Sequence, residues 1–205
     1  MSLDTLSVSS APTAMHQLRA ATRPAHAGVE AALPLLDPGL TRERYIRVVQ
    51  AFHSFYAVLE PRIVDAATIH AAALGLADRA KLPLLARDLA ALAVEPMRSR
   101  ESVRLPDIRT PSHALGALYV IEGATLGGQI IRKHLRDRLG IEATTGAAFF
   151  TGYGEATRTM WSRFADHVDR VADLDPEADI AAAIAAAIET FHTMTQWFDT
   201  TLAVS

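Results

Sequence analysis

The sequence contains no cysteine among its 205 residues. Disulfides, thiolate catalysis, zinc fingers and thiolate-bound iron centres are therefore excluded. Any metal chemistry must use histidine, aspartate, glutamate or tyrosine side chains. The net charge is only −3, which gives no global attraction to nucleic acid, so we expect no nucleic-acid partner.

Long apolar runs and a targeting signal are lacking as well. No stretch reaches the ~18 consecutive apolar residues of a membrane span. The opening segment MSLDTLSVSSAPTA has an acid, no basic residue and no long apolar run, unlike a secretory signal. We therefore expect a soluble cytoplasmic protein with no membrane partner.

Alternating strand patterns are absent, whereas helical periodicity recurs along the chain. We predict an all-α protein with six to eight helices, made of a loose tail over residues 1–12 and one helical domain over 13–205. The predicted helices run from Thr13 to about Leu33, Thr41 to Glu60 with a continuation to about 70, Asp78 to Ala93, Thr110 to Leu139, Glu155 to Val171, and Asp175 to Leu202.

The first predicted helix has two notable features. Its apolar stripe is predicted to consist of Leu18, Ala21, Ala25, Val29 and Ala32. Pro24 lies inside the helix, where it removes one backbone hydrogen bond, so we expect a kink or a restarted helix there.

A file of polar residues lies beside this stripe. Arg19, Arg23, His26 and Glu30 follow one another at spacings of four, three and four residues, which places them within about 60° on the helix surface. Glu30 is one turn after His26 and can hold one ring nitrogen, leaving the other free to bind a metal. The alternative is an ordinary solvated face with loose charge pairs.

Glycines interrupt the apolar helix predicted from Thr110, although each costs ~1 kcal/mol relative to alanine. Gly116, Gly123 and Gly127 share one face, and Gly128 adjoins it. Close helix packing would explain a single glycine, whereas three on one face favour a broad flat ligand, or at least a flexible segment that approaches its neighbour closely. Together with an imidazole and two cations for carboxylate groups, this strip suits haem.

The sequence resembles the haem oxygenases in these two segments. LRAATRPAHAGVEAAL (18–33) resembles the proximal helix, which implies His26 as the iron ligand, Arg19 and Arg23 as contacts of the haem propionates, and Glu30 as the acid one turn later. YVIEGATLGGQII (119–131) resembles the kinked distal helix that lies over the haem. The resemblance therefore assigns catalytic and haem-binding positions to Gly123, Gly127 and Gly128.

The resemblance implies cleavage of haem with O2 and external electrons to biliverdin, ferrous iron and CO. Haem would be both substrate and cofactor, and the electron donor would be a ferredoxin or a reductase. The motifs are most similar to bacterial members, including those associated with bacteriophytochromes, which makes a bilin-accepting bacteriophytochrome an expected partner. Propionate contacts from a later helix are only loosely matched, by Arg158 or Arg163.

One departure from the family concerns proton supply. Ala124 occupies a position where many members carry aspartate, and Glu122 is a poor substitute because it lies about 100° around the helix from Gly123. A non-catalytic haem-binding or haem-delivery protein of the same fold is therefore the alternative.

The remaining candidate residues give weaker indications of a function. Glu189 and His192 form one Glu-x-x-His pair, but a helical di-iron site needs a second pair and the sequence has none. His53 is expected to be a satisfied residue of the core or a pocket edge, and His134 a surface residue. The other histidines, which include His70 and His167, show no supporting pattern.

Overall fold

The computed structural model describes residues 12–97, 103–175 and 177–203, and these residues form helices and no strands. The all-α prediction is confirmed, with eight α-helices in the described ranges. They are α1 (Ala14–Ala32), α2 (Arg42–Ala66), α3 (Ala71–Leu74), α4 (Leu82–Leu92), α5 (Pro111–Leu139), α6 (Ala148–Thr151), α7 (Thr157–Leu174) and α8 (Ile180–Leu202). Short 3-10 segments occur at Thr68–His70, Leu76–Arg79 and Gly154–Ala156. The predicted tail falls almost entirely outside the described residues.

Threonine caps define where three of the helices begin. The hydroxyl groups of Thr13, Thr41 and Thr110 accept hydrogen bonds from backbone amides three residues later, at 3.3, 3.3 and 3.2 Å. Each cap satisfies one of the amides that the first helical turn leaves without a partner. Pro111 follows the cap of α5, where its missing N–H costs nothing. The predicted starts of these helices are confirmed.

The beginning of the last helix was predicted wrongly. Asp179 caps α8 by accepting a hydrogen bond from the amide of Ala182 at 2.8 Å, and Asp175 instead ends α7. Pro176, the other half of the predicted signal, lies outside the described residues. Asp175 does accept a bond from the amide of Glu177, at 2.9 Å, so it stabilises the turn between the helices. An aspartate followed by proline fits such a turn as well as a helix start.

The predicted restart of α1 at Pro24 does not occur, because the helix continues without interruption from Ala14 to Ala32. Pro24 is exposed, and packing of α1 against α8 outweighs the one lost hydrogen bond. The predicted stripe is wrong at Ala21, which is exposed, while Thr22 is buried in its place. Thr22 tolerates burial because its hydroxyl donates to the carbonyl of Leu18 at 2.8 Å.

Helix α8 lies at the centre of the fold and makes its most extensive contacts with α5 and α1. Its buried face toward α5 carries small side chains, among them Ala183 and Ala187, which allow a close approach. An aromatic cluster packs on the other side, where Phe52 contacts Phe149 and Phe198 at ring-centroid distances of 5.0 and 4.6 Å. Helices α1 and α5 are thus held by a common central helix.

Helix α5 is apolar along much of its length. Its length and composition, with a mean hydropathy of 1.3 over the best window, meet the criteria for a membrane-crossing helix. However, 56% of that window is buried inside the protein. Burial of this kind is what the core helix of a folded domain requires, so its apolar character is accounted for by packing.

The buried carboxylate of Asp88 in α4 holds the short helix α6. Its two oxygens accept hydrogen bonds from the amides of Ala148 and Phe149 at 2.6 and 2.9 Å. Burial raises the pKa of the Asp88 carboxyl from 3.8 to about 6, against the opposing effect of these two amides. The carboxylate thus stabilises the N-terminus of α6 at the cost of burying a charge.

This raised pKa gives a pH-dependent prediction for Asp88→Asn. The folded pKa lies above the unfolded one, so the folded state binds the proton more tightly and gains stability as the pH falls through about 6. The asparagine variant lacks this gain. Between about pH 7.5 and pH 5, urea unfolding should show the wild type gaining about 1 kcal/mol over the variant. A difference that stays constant across this range would contradict the shifted pKa, since the other titrating groups are common to both proteins.

Candidate functional site

The four polar residues predicted on the first helix form an exposed file on α1. The imidazole of His26 is 55% exposed, and its Nδ1 lies 3.6 Å from Oε2 of Glu30. This distance is longer than a hydrogen bond, so Glu30 orients the ring only loosely. The ring also contacts Phe191 of α8 edge-on, with centroids 5.5 Å apart. With Nδ1 toward Glu30, Nε2 is the nitrogen available to an external ligand.

The glycines of α5 do not form one continuous strip. A Cβ atom at Gly116 would lie 2.0 Å from the carbonyl oxygen of Ala183, and one at Gly128 would lie 2.6 Å from that of Phe150. Both positions need glycine because a neighbouring backbone occupies the space of a side chain. Gly116 packs against α8 and Gly128 against α6, so these two serve helix packing.

Gly123 and Gly127 have a different environment. Apart from the neighbouring backbone of α5 itself, no atom of the described residues lies within 4 Å of a Cβ built at Gly127, and at Gly123 the nearest such atom belongs to Trp161, at 3.9 Å. Leu126 and Ile130, on the same part of α5, are 38% and 66% exposed. Packing requires neither glycine, and the surface around them is apolar and open. This part of α5 is therefore available to an apolar ligand.

The exposed face of α1 and the open part of α5 are linked by Thr22 and Tyr119, whose hydroxyl groups lie 3.4 Å apart. His26 follows Thr22 by one turn, and Gly123 follows Tyr119 by one turn. In both α1 and α5, residues later in the helix contact residues later in α8, so α1 and α5 run in the same direction. The imidazole and the first open glycine therefore lie on the same side of the Thr22–Tyr119 contact.

An aromatic pair borders this region. The rings of Tyr119 and Trp161 are 5.8 Å apart, and the Trp161 indole also lies 3.9 Å from a Cβ built at Gly123, so it packs beside both positions. Arg158 and Arg163, the loosely matched candidates on α7, are exposed. Two open cavities, of about 370 Å³ beside Arg44 and about 350 Å³ beside His70, include none of the predicted site residues.

The described residues do not assemble a cluster of metal ligands. Among the described residues, no three His, Asp or Glu side chains gather so that they could hold a metal ion. Glu189 accepts a hydrogen bond from the backbone amide of Asp107 at 3.3 Å, and His192 is exposed. Nothing in the described part of the chain therefore favours the di-iron alternative.

A buried ionic cluster escaped the sequence analysis. Glu122 accepts hydrogen bonds from Arg79, from Nζ of Lys81 at 2.7 Å and from the hydroxyl of Tyr153 at 2.7 Å. Glu60 joins the cluster by accepting a bond from the amide of Lys81. The signal was present, because a lone acid inside the apolar segment 119–131 predicts a buried, paired charge.

The charges of this cluster balance, with two cations and two carboxylates. Burial lowers the pKa of Lys81, although the adjacent Glu122 opposes this shift, and burial raises the pKa of Glu60. Arg79 extends the cluster by donating to the carbonyls of Leu74 and Met160 at 2.8 and 3.1 Å. The cluster therefore connects α2, α5, α7 and the segment that precedes α4.

Four histidines differ from expectation. His70 and His167 are buried and lie 3.2 Å apart through Nδ1 and Nε2, a pair that the sequence did not indicate. Among the described residues, Nδ1 of His53 is buried without a hydrogen-bond partner, so this histidine is not satisfied as predicted. His134 is half-buried and its Nε2 lies 3.2 Å from the carbonyl of Asp37.

Comparison with known proteins gives a consistent result. The family model described as Heme oxygenase matches residues 13–200. The fold is similar to that of the NO- and CO-bound heme oxygenase from Neisseria meningitidis, with 26% identity, a TM-score of 0.79, and coverage of 95% of this chain and 94% of that one. A search of curated protein sequences gave no significant match.

Two more distant structures have the same fold. The heme oxygenase from Leptospira interrogans is 16% identical, with a TM-score of 0.75 and coverage of 92% of this chain and 100% of that one. Heme oxygenase 2 from Chlamydomonas reinhardtii, solved without heme, is also 16% identical, with a TM-score of 0.74 and coverage of 92% and 97%.

The two kinds of glycine on α5 should respond differently to alanine. Gly127→Ala adds a methyl group to open space and should leave the apo protein as stable as the wild type or more stable by up to ~1 kcal/mol. Gly128→Ala forces a methyl group against the Phe150 carbonyl and should destabilise it by ~1–3 kcal/mol. Urea unfolding of both variants without ligand measures the difference. Equal effects at the two positions would mean that the glycines do not divide as described.

Proposed function

Because the chain belongs to the haem oxygenase family, we propose that it binds haem between α1 and α5 and cleaves it to biliverdin, ferrous iron and CO. The observation that carries the proposal is the placement of an exposed imidazole, His26, and an open stretch of glycine backbone one turn beyond the Thr22–Tyr119 contact. The residues fit haem chemically, since one neutral nitrogen ligand, two guanidinium groups and an apolar bare surface match its iron, propionates and ring.

His26 binds the iron through Nε2 in this proposal. Glu30 faces Nδ1 and favours the tautomer that carries its proton there, which leaves the lone pair on Nε2. Phe191 restricts rotation of the ring from the side of α8. His26 would be the one protein ligand of the haem iron, and the iron would supply the chemistry with O2.

Arg19 and Arg23 are the proposed partners of the propionates. Each is exposed on the same face of α1 as His26 and precedes it by one or two turns. Guanidinium groups bind carboxylates through paired hydrogen bonds, which would fix how the ring is turned in its plane. By holding the propionates, Arg19 and Arg23 would determine which meso carbon is cleaved.

Gly123 and Gly127 are the proposed surface over the haem ring, whereas Gly128 supports that surface by packing on α6. A glycine backbone can approach the ring closely and limit the space for O2. Ala124 offers no acid there, so proton delivery in this proposal relies on water held by backbone carbonyls of α5. Haem, when bound, supplies both the iron that activates O2 and the ring that is oxidised.

The expected partners follow from this assignment. The reaction needs electrons from a ferredoxin or a reductase, and the product would pass to a bilin acceptor such as a bacteriophytochrome. We place the protein in the cytoplasm, where such donors are found. The alternative, a haem-binding or haem-delivery protein, is favoured by one observation, the absence of an acid at Ala124.

His26→Ala tests the assignment directly. The variant should bind hemin at least about tenfold more weakly, and added imidazole should restore binding, because it replaces the missing nitrogen ligand. His16→Ala is the matched control, since His16 is an exposed histidine on the same helix. Absorbance titration measures binding, and addition of reductant in air measures conversion to biliverdin.

The same experiment separates the two functions. Wild type that converts haem to biliverdin supports the oxygenase, and wild type that binds haem through His26 but holds it unchanged supports the carrier. An unaltered spectrum and unaltered turnover in His26→Ala would refute the iron ligand assignment.

The double variant Arg19→Ala/Arg23→Ala tests the propionate contacts. Exposed ion pairs contribute ~0–1 kcal/mol each, so haem affinity should fall about three- to thirtyfold at low salt, and less at high salt. Arg62→Ala/Arg87→Ala removes the same charge from exposed positions on other helices and should change little. If both double variants weaken binding equally, the effect is one of net charge and the contacts are not those proposed.

A further inference from the structure

Glu122 has an unusual place in α5. It is the only charged residue in the segment 119–131, and its side chain is 1% exposed. Three donors from two other parts of the chain, Arg79, Lys81 and Tyr153, converge on its carboxylate. A carboxylate with this many partners has one well-defined position, because any displacement leaves a buried cation unpaired.

The position of this carboxylate determines which way the following residues face. Successive residues of an α-helix are turned by about 100°, so a fixed Glu122 also fixes the direction of Gly123 and of Gly127. With the carboxylate in the cluster, Gly123 faces Trp161 and Gly127 faces open space. A rotation of α5 would replace the bare backbone of Gly123 and Gly127 at that surface with the side chain of a neighbouring residue, such as Ala124 or Leu126.

The glycine contacts of α5 cannot fix this rotation as sharply. Gly116 and Gly128 lie six residues before and after Glu122, about 9 Å in each direction along the helix axis. They allow close approach to Ala183 and Phe150, but a bare backbone has no side chain that interlocks with its neighbour. Hydrogen bonds to a charged group depend strongly on both distance and direction.

We infer that Glu122 is a positioning residue of the ligand site, which fixes the rotation of α5 and thereby presents Gly123 and Gly127 as the open surface. It acts through the helix and does not touch the ligand. The inference rests on the proposed function only for the identity of that ligand. The arrangement of α5 itself is a property of the protein without ligand.

Hydrogen exchange of the apo protein tests the inference without any use of haem. The glutamine side chain in Glu122→Gln is neutral and has only one acceptor oxygen. The backbone amides of residues 123–128 should therefore exchange about tenfold faster than in the wild type, while the backbone amides of α1 and α8 stay within about twofold of the wild type. Glu60→Gln is the matched control. Glu60 is a carboxylate of the same cluster, but its hydrogen bonds go to the amides of Lys81 and Leu82 and none goes to α5.

The control defines what would overturn the inference. If exchange in Glu122→Gln rises equally in all helices, or does not rise in 123–128, Glu122 contributes to general stability only. The same conclusion follows if Glu60→Gln increases the exchange rates of residues 123–128 as much as Glu122→Gln does. If Glu122→Gln fails to fold, the double variant Lys81→Met/Glu122→Gln removes one charge of each sign and keeps the cluster neutral. Faster exchange confined to 123–128 in this double variant supports the inference, and wild-type exchange there overturns it.

Haem provides a second readout that separates the two hypotheses. Glu122→Gln should retain hemin affinity within about threefold, because His26, Arg19 and Arg23 lie on α1 and do not touch the cluster, but should degrade haem more slowly. If wild type binds or degrades no haem, the proposed function fails while the exchange result still decides the role of Glu122. A loss of affinity in Glu122→Gln as large as that in His26→Ala would contradict a role confined to α5.

Discussion

Burial of the Glu122 carboxylate between Arg79 and Lys81 is the interaction on which the arrangement of the helices depends. An isolated buried charge would be prohibitively expensive, so all members must be present and correctly placed. The cluster draws together α2, α5, the segment before α4 and the turn that contains Tyr153. Hydrophobic packing alone is less directional and would permit more than one rotation of α5.

Small residues then determine how closely the helices approach. Gly116 brings the backbone of α5 against α8, and Gly128 brings it against α6, which Asp88 holds in turn. Because the backbones of other helices cover Gly116 and Gly128, the open surface of α5 is limited to the region of Gly123 and Gly127. The same helix thus combines positions where glycine is required by a neighbour with positions where it leaves space for a ligand.

The candidate site is built from two helices that barely touch each other. Both pack on α8, and they meet through the hydroxyl groups of Thr22 and Tyr119. The polar face of α1, which carries His26, and the open apolar part of α5 lie on the same side of this contact. The proposed ligand, haem, is flat and carries one metal, two acidic groups and an apolar ring, and these require such a pairing of unlike faces.

The sequence by itself determined the helical class, the capped starts of α1, α2 and α5, and the file from Arg19 to Glu30, because caps and periodicity act within a few residues. Tertiary structure decided the rest. The glycine pattern could not distinguish Gly128 from Gly127, since the difference lies in the Phe150 backbone, 22 residues further along the chain. The role of Glu122 was hidden for the same reason, because its partners Arg79 and Lys81 precede it by more than 40 residues. Local patterns fix which face of a helix is apolar, but only the packed chain decides which neighbour or ligand that face meets.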